Sequence, residues 1–230
     1  MKYYQIGVSA EPKTIGVKNG VYQFKIDYER MSLDNLFDSF LNFFDYSNKD
    51  FWKNQELIKK IKIPVIKGEM LKKAKVTDFM GYSPEITFLN RAFSSKYLGI
   101  VKEYEVENLG IFEIDIKDVL QKYYLLINKA VCLTEIDFSK SIIVTGHSIM
   151  DNVKFHHMND HFEYVEFLQK NPLANFKVIS ISKKNYGKDI IDVQSVVNPF
   201  YSEKLITRLL DEGITGLEIN YENSIALNFI

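Results

Sequence analysis

Asn198-Pro199-Phe200-Tyr201-Ser202-Glu203-Lys204-Leu205, followed by Gly213-Ile214-Thr215-Gly216-Leu217-Glu218-Ile219, reads as one helix-to-strand unit. Pro199 closes an extended segment, and Ser202 is of the type that caps a helix N-terminus by accepting a backbone N–H. Glu203 falls in the first turn, where the helix dipole favours an anion. Leu205, Ile206, Leu209 and Leu210 recur at helical spacing on one face. Gly213 supplies the left-handed residue that ends a helix, and Ile214 to Ile219 then read as a strand. The unit predicts a helix over 203–212 and a strand holding Leu217 and Ile219. By itself it carries no chemistry.

Outward from this unit, the chain alternates short elements of both kinds. Tyr3 to Ser9, Val21 to Ile26, Ser141 to Thr145 and Phe176 to Ser182 read as strands, and Asn19-Gly20 as a turn. Ser32 caps a predicted helix with Leu33, Leu36, Phe37, Phe40, Leu41 and Phe44 on one stripe, and Asp50 caps another that Pro64 ends. Gly81-Tyr82-Ser83-Pro84 reads as a turn, and 86–93 fits helix or strand. Val101 to Val106 and Ile111 to Ile116 alternate apolar and polar residues, as half-buried strands do. Tyr123 to Leu133 is apolar enough for a central strand, although Val119 to Leu126 equally fits the continuation of a helix. Asn185 to Asp189 fits a hairpin loop with Ile190 to Val197 returning. No repeat, low-complexity segment or clear linker stands out. The expected fold is α+β, a mixed, largely antiparallel sheet with a few packed helices in a single globular domain over 1–230. Residues 30–62 can be read as a helical N-terminal subdomain within it.

Composition narrows the function classes. The 230 residues hold 46 % apolar side chains, with 17 Phe and 14 Tyr, enough for a sizeable core. The single cysteine, Cys132, allows no intramolecular disulfide and fits a reducing compartment. No apolar run approaches the ~20 residues of a membrane span, and the N-terminus lacks a signal-peptide pattern, so the expectation is a cytoplasmic protein with no membrane partner. A net charge of −1 gives no long-range field to attract nucleic acid. Charge is nevertheless uneven. Lysines crowd 49–75, around Lys59, Lys60 and Lys62, and acids crowd 102–118. Glu103, Glu105 and Glu107 share one face if that segment is a strand.

Two constellations invite a catalytic reading. All four histidines, His147, His156, His157 and His161, lie among Asp151, Asp160 and Glu163. On a helix, His157 and His161 stand at i, i+4, a spacing that holds zinc. The residue after His157 is Met158, where a metalloprotease helix needs a glutamate base. The cluster therefore reads first as a polar connection, with no cofactor. If a metal bound, His157, His161, Asp160 and His156 would be its ligands, which makes a metal-dependent enzyme or metalloprotein the alternative function. Thr145-Gly146-His147-Ser148-Ile149-Met150 begins like a nucleophile elbow, but Met150 replaces the second glycine and no later histidine lies far along the chain. No phosphate-cradling glycine loop is present.

The opening unit resembles the C-terminal signature of a family of bacterial immunity proteins, encoded beside polymorphic toxins. That signature opens a helix with Ser-Glu-Lys/Arg-Leu, then has Gly, then Thr-Gly-aliphatic-Glu. Here these are Ser202-Glu203-Lys204-Leu205 and Gly213-Ile214-Thr215-Gly216-Leu217-Glu218. Tyr123-Tyr124-Leu125-Leu126-Ile127-Asn128, with Ile136-Asp137-Phe138-Ser139-Lys140-Ser141, is similar to a second family segment. Lys75-Val76-Thr77-Asp78-Phe79 is a weaker echo. The resemblance covers patches from residue 75 onward and implies a non-enzymatic binding protein that neutralises a cognate protein toxin by stoichiometric occlusion. Many toxins are basic where they act on nucleic acid. Glu103, Glu105 and Glu107 are therefore the expected partner-binding strip.

Overall fold

In chain order, the first half of the protein contributes β1 (Tyr3–Val8), α1 (Pro12–Ile15), β2 (Tyr22–Ile26), α2 (Tyr28–Met31), α3 (Asn35–Phe43), β3 (Ile66–Met70), β4 (Phe79–Ser83), β5 (Ala92–Ser94), α4 (Ser95–Val101) and β6 (Asn108–Lys117). The second half contributes β7 (Tyr123–Asn128), β8 (Ala130–Val131), β9 (Ile142–Thr145), β10 (Lys154–His156), α5 (His161–Lys170), β11 (Asn175–Ile181), β12 (Ile190–Val193), β13 (Phe200–Ser202), α6 (Glu203–Asp211), β14 (Leu217–Asn220) and β15 (Ala226–Phe229). The computed structural model describes residues 1–18, 20–147 and 150–230. Asn19 of the predicted turn and Ser148 and Ile149 of the elbow-like segment lie outside the described residues. The architecture is α+β with mostly antiparallel pairing, as composition and patterning predict.

A barrel closes in the order β2-β3-β6-β7-β5-β4. β3 runs parallel to β6, and β2 parallel to β4. The other neighbours are antiparallel. The second half repeats this circuit with two strands interrupted. β8 and β9 stand where β2 does, β11 where β3 does, and β15 and β14 where β6 does. β1, β13 and β12 take the places of β7, β5 and β4. Every pairing keeps its direction: β9 antiparallel to β11, β11 parallel to β15, β14 antiparallel to β1, β1 to β13 and β13 to β12, and β12 parallel to β8. The interruptions split the circuit into two sheets, β14-β1-β13-β12-β8 and β10-β9-β11-β15.

The halves exchange one strand. β7, from the second half, completes the first barrel by pairing Ala92 with Leu125, Phe93 with Tyr124 and Ser94 with Tyr123. β1, from the first half, sits inside the second circuit and pairs Tyr3 with Ser202, Tyr4 with Tyr201 and Gln5 with Phe200. The exchanged strands begin alike, Lys2-Tyr3-Tyr4 and Lys122-Tyr123-Tyr124. The chain thus contains a structural repeat that its sequence conceals. Most strand positions need only be apolar on alternate sites, so few identities survive.

Three apolar clusters fill the molecule: the first barrel, the second circuit, and a layer around α4 and α6 between them. Residues 30–62 form no core of their own. Phe37, Phe40, Phe44, Phe51 and Ile58 are buried together with Phe24, Ile66 and Phe112 of the barrel. Phe40 and Phe44 meet the Phe112 ring at 4.9 and 6.0 Å between centroids. The cap of α3 is Asp34, which accepts from Leu36 N–H at 2.8 Å, because Ser32 is used to end α2. The predicted helix after Asp50 is reduced to turns and a 3-10 segment, Gln55–Lys60.

Other expectations are corrected by long-range packing. Gly81 belongs to β4 and not to a turn. A Cβ there would lie 2.3 Å from the Val21 carbonyl oxygen, so the glycine permits a close strand approach. The segment ending at Val101 is α4, capped by the Ser94 hydroxyl, which accepts from Tyr97 N–H at 3.1 Å. β11 and β12 form no hairpin, since they belong to different sheets. The opening unit holds as read. Ser202 accepts from Leu205 N–H at 3.2 Å, α6 buries Leu205, Ile206 and Leu209, Gly213 adopts φ +66°, and β14 follows. Among the described residues, no helix is long and apolar enough to cross a membrane.

Candidate functional site

Three of the segments quoted for the family resemblance, 75–79, the strand from Tyr123 and Thr215-Gly216, meet in one place. Asp78 is buried and stands at the start of β4. Its Oδ1 accepts from the Ser94 hydroxyl at 2.6 Å. Its Oδ2 accepts from the Thr215 backbone N–H and hydroxyl, both at 2.9 Å. Tyr123 donates to the Thr77 carbonyl oxygen at 2.7 Å. Gly216 adopts φ +81°, and its backbone lies against strand β4: an added Cβ would come within 2.3 Å of the Phe79 carbonyl oxygen.

The same joint recurs in the other half. Asp189 is fully buried. Its Oδ1 accepts from the Ser202 hydroxyl at 2.5 Å, and its Oδ2 from the Glu105 N–H at 3.0 Å. Ser202 N–H donates to the Asp189 carbonyl at 2.9 Å, as Ser94 N–H does to Asp78 at 2.9 Å. Lys204 adds an ion pair to Asp189 at 3.1 Å. Each aspartate therefore grips the cap of its own helix and the chain that leaves the other helix. A buried carboxylate needs several donors to offset its lost hydration, and these joints supply them. The phenols of Tyr97 and Tyr201, one from each half, are 2.6 Å apart between the joints. Burial raises both phenol pKa values, so each stays protonated.

Where the two hairpin loops 84–91 and 194–199 face each other, a cavity of about 780 Å³ opens. Trp52, Phe88, Tyr97 and Tyr201 supply rings, and Arg91, Asp192, Glu85 and Lys49 supply charge. Arg91 is buried and ties the loops together. It donates to Asn90 Oδ1 at 3.0 Å, Ile6 O at 2.8 Å, and both Val197 O and Asn198 Oδ1 at 3.2 Å. Asp192 accepts from Asn128 Nδ2 at 3.0 Å. Burial raises its pKa, against smaller opposing effects from Asn128 and Arg91. Sequence reasoning missed this cavity, because its residues come from four separated stretches with no motif spacing.

The expected acidic strip is not a strand. Glu103 lies in the turn after α4, and Glu105 and Glu107 follow in irregular chain. Alternation resembling a strand arises because the last turn of α4 and the exit loop bury Val101 and half-bury Tyr104 and Val106. Glu103 and Glu105 are exposed. Glu107 pairs with Lys188 at 3.0 Å and Lys129 at 3.3 Å. Burial pushes its carboxyl up, but the two lysines outweigh that and hold it below the ordinary value. Lys59 is paired with Glu56 at 2.6 Å.

The histidines do not share a helix face. α5 begins at His161, and Asp160 is its cap, accepting from Phe162 and Glu163 N–H at 2.9 and 3.0 Å. His157 precedes the helix in irregular chain. His156 ends β10, with Nε2 2.8 Å from the Thr145 hydroxyl. Asp160 and Glu163, three residues apart, carry the sequence pattern of a helix start. Among the described residues, no three His, Cys, Asp or Glu side chains converge as metal ligands. Gly146 turns the chain toward β10, where a Cβ would meet the Asn152 carbonyl oxygen at 2.2 Å.

Compared with known proteins, the chain matches no family model and no curated protein.

Proposed function

We propose that this chain is a binding protein that neutralises a cognate bacterial toxin by stoichiometric occlusion. The observation that carries the reading is the convergence of the signature-like segments. Residues 75–79, the strand from Tyr123 and the Thr215-Gly216 turn lie far apart in sequence yet form one joint at Asp78, while Ser202 and Lys204 belong to its counterpart at Asp189. Resemblance at scattered short motifs gains weight when those motifs constitute one structural device. The exposed Glu103 and Glu105 beside the second joint, and the aromatic cavity between the hairpin loops, offer the charge and anchor sites that protein partners use. The protein is expected to act in the cytoplasm without a cofactor. Co-expression with the polymorphic toxin encoded beside it should restore growth, and the two chains should co-elute at equimolar ratio. Growth arrest unrelieved by the intact, folded chain would refute the reading.

A further inference from the structure

The cavity between loops 84–91 and 194–199 is lined by a carboxylate that has no ion pair among the described residues. Asp192 has one carboxylate oxygen on Asn128, and no cation forms an ion pair with it among the described residues. Arg91 lines the same cavity and its charge favours the Asp192 carboxylate, but less than burial opposes it, and its four donor contacts go to neutral acceptors at the loop junction. Lys49 is exposed at the rim. A second carboxylate, Glu85, stands near the mouth, its pKa raised by burial. Phe88 and Trp52 line the same cavity, where the Phe88 ring stacks on Phe51 at 4.2 Å and meets Trp52 at 4.9 Å.

Phe88 holds this place at φ +65°, and Ser195, in the facing loop, has φ +68°. Left-handed backbone is costly for a bulky residue, on the order of 1–2 kcal/mol, and persists where surroundings enforce it. Here both strained residues line the cavity that Trp52 and Asp192 also line. Ring faces and a desolvated carboxylate both favour a cation that can bring its own hydrogen-bond donors.

We propose that this cavity is the anchor pocket for a cationic side chain, a lysine or arginine of the bound toxin, with Asp192 as the counter-charge and Trp52 and Phe88 as the wall. The assignment rests on the reading of the chain as a toxin-binding protein.

Trp52 is the single tryptophan, so its fluorescence reports occupancy of the cavity. The full chain should be titrated with benzamidine as a cationic probe, and with benzamide and benzoate as neutral and anionic controls of similar shape. The expected result is a saturable change with benzamidine, affinity about tenfold weaker for benzamide, and no saturation with benzoate. Asp192→Asn should weaken benzamidine about tenfold while leaving thermal unfolding cooperative. Benzoate binding as well as benzamidine, or no preference among the three probes, would overturn the site. So would an unchanged affinity in a folded Asp192→Asn chain. If that variant does not fold, the ranking of probes by the parent decides alone. The toxin assay separates the two claims. A parent that binds benzamidine yet gives no protection supports the cation site and refutes the toxin-binding reading. A folded Asp192→Asn chain that protects fully overturns the assignment of the pocket to a toxin side chain.

Discussion

The Ser202 hydroxyl donates to the buried Asp189 carboxylate at 2.5 Å while accepting the first-turn N–H of α6. Ser94 and Asp78 do the same for α4 at 2.6 Å. One hydroxyl therefore serves helix and sheet together. Ser202→Ala or Ser94→Ala removes a cap, worth ~1 kcal/mol, and also a donor to a buried carboxylate, worth ~1.5–3 kcal/mol. Urea unfolding should show a loss of about 3 kcal/mol for each. Asp34→Ala, which removes only the exposed cap of α3, should cost ~1 kcal/mol. Equal losses at all three sites would contradict the double role.

The two glycines of the signature differ in what surrounds them. Gly213 has positive φ but open space, and Gly216 has positive φ with the Phe79 carbonyl where its Cβ would stand. Gly213→Ala should cost ~1–2 kcal/mol from backbone strain alone. Gly216→Ala must also displace β4, and an additional loss of at least ~2 kcal/mol is expected on the scale of core overpacking. Comparable denaturation midpoints for the two variants would show that the Gly216 contact relaxes freely.

Strand exchange makes the N-terminus structural. β1 lies between β13 and β14, while the first barrel closes without it. Deleting residues 1–9 should therefore raise amide exchange in β12, β13 and β14 well before β6 and β7. Adding a peptide of residues 1–10 should restore protection. Uniform loss across both halves would show that they cannot be separated energetically.

Burial raises the Asp192 pKa, so the folded chain holds a proton there that the unfolded chain releases near pH 3.9. Stability then falls as pH rises from that value through the folded pKa. Asp192→Asn lacks this linkage. Its stability relative to the parent should increase between pH 4 and 7, measured by urea unfolding at several pH values. A constant difference would mean that the carboxylate is not desolvated in solution.

Glu103 and Glu105 are exposed, whereas Glu107 is held by Lys188 and Lys129. If the chain binds a toxin as proposed, replacing Glu103 and Glu105 with Gln should slow that association at low ionic strength, with the difference fading as salt screens it. Glu107→Gln should change association less and stability by under ~1 kcal/mol, since its ion pairs are partly exposed. A double variant that associates as fast as the parent would leave these acids as solvated surface.

Local sequence decided the features that depend on neighbouring residues. Ser202, the apolar run to Leu209 and Gly213 specify α6 because capping, amphipathic spacing and helix termination act within a few residues. Several strands were legible for the same reason, including β1, β2, β9 and β11. Tertiary structure alone decided the exchange of β1 and β7, the pairing of Asp78 with Thr215 and Asp189 with Glu105, and the cavity that Trp52 and Asp192 both line. These relationships join residues separated by tens to hundreds of positions, and nothing in local spacing encodes which carboxylate will meet which turn. Glu103 to Glu107 shows the cost of reading such a segment locally. Its alternation suggested a strand, but the apolar positions face the layer between the two halves, and that layer exists only once both halves have folded.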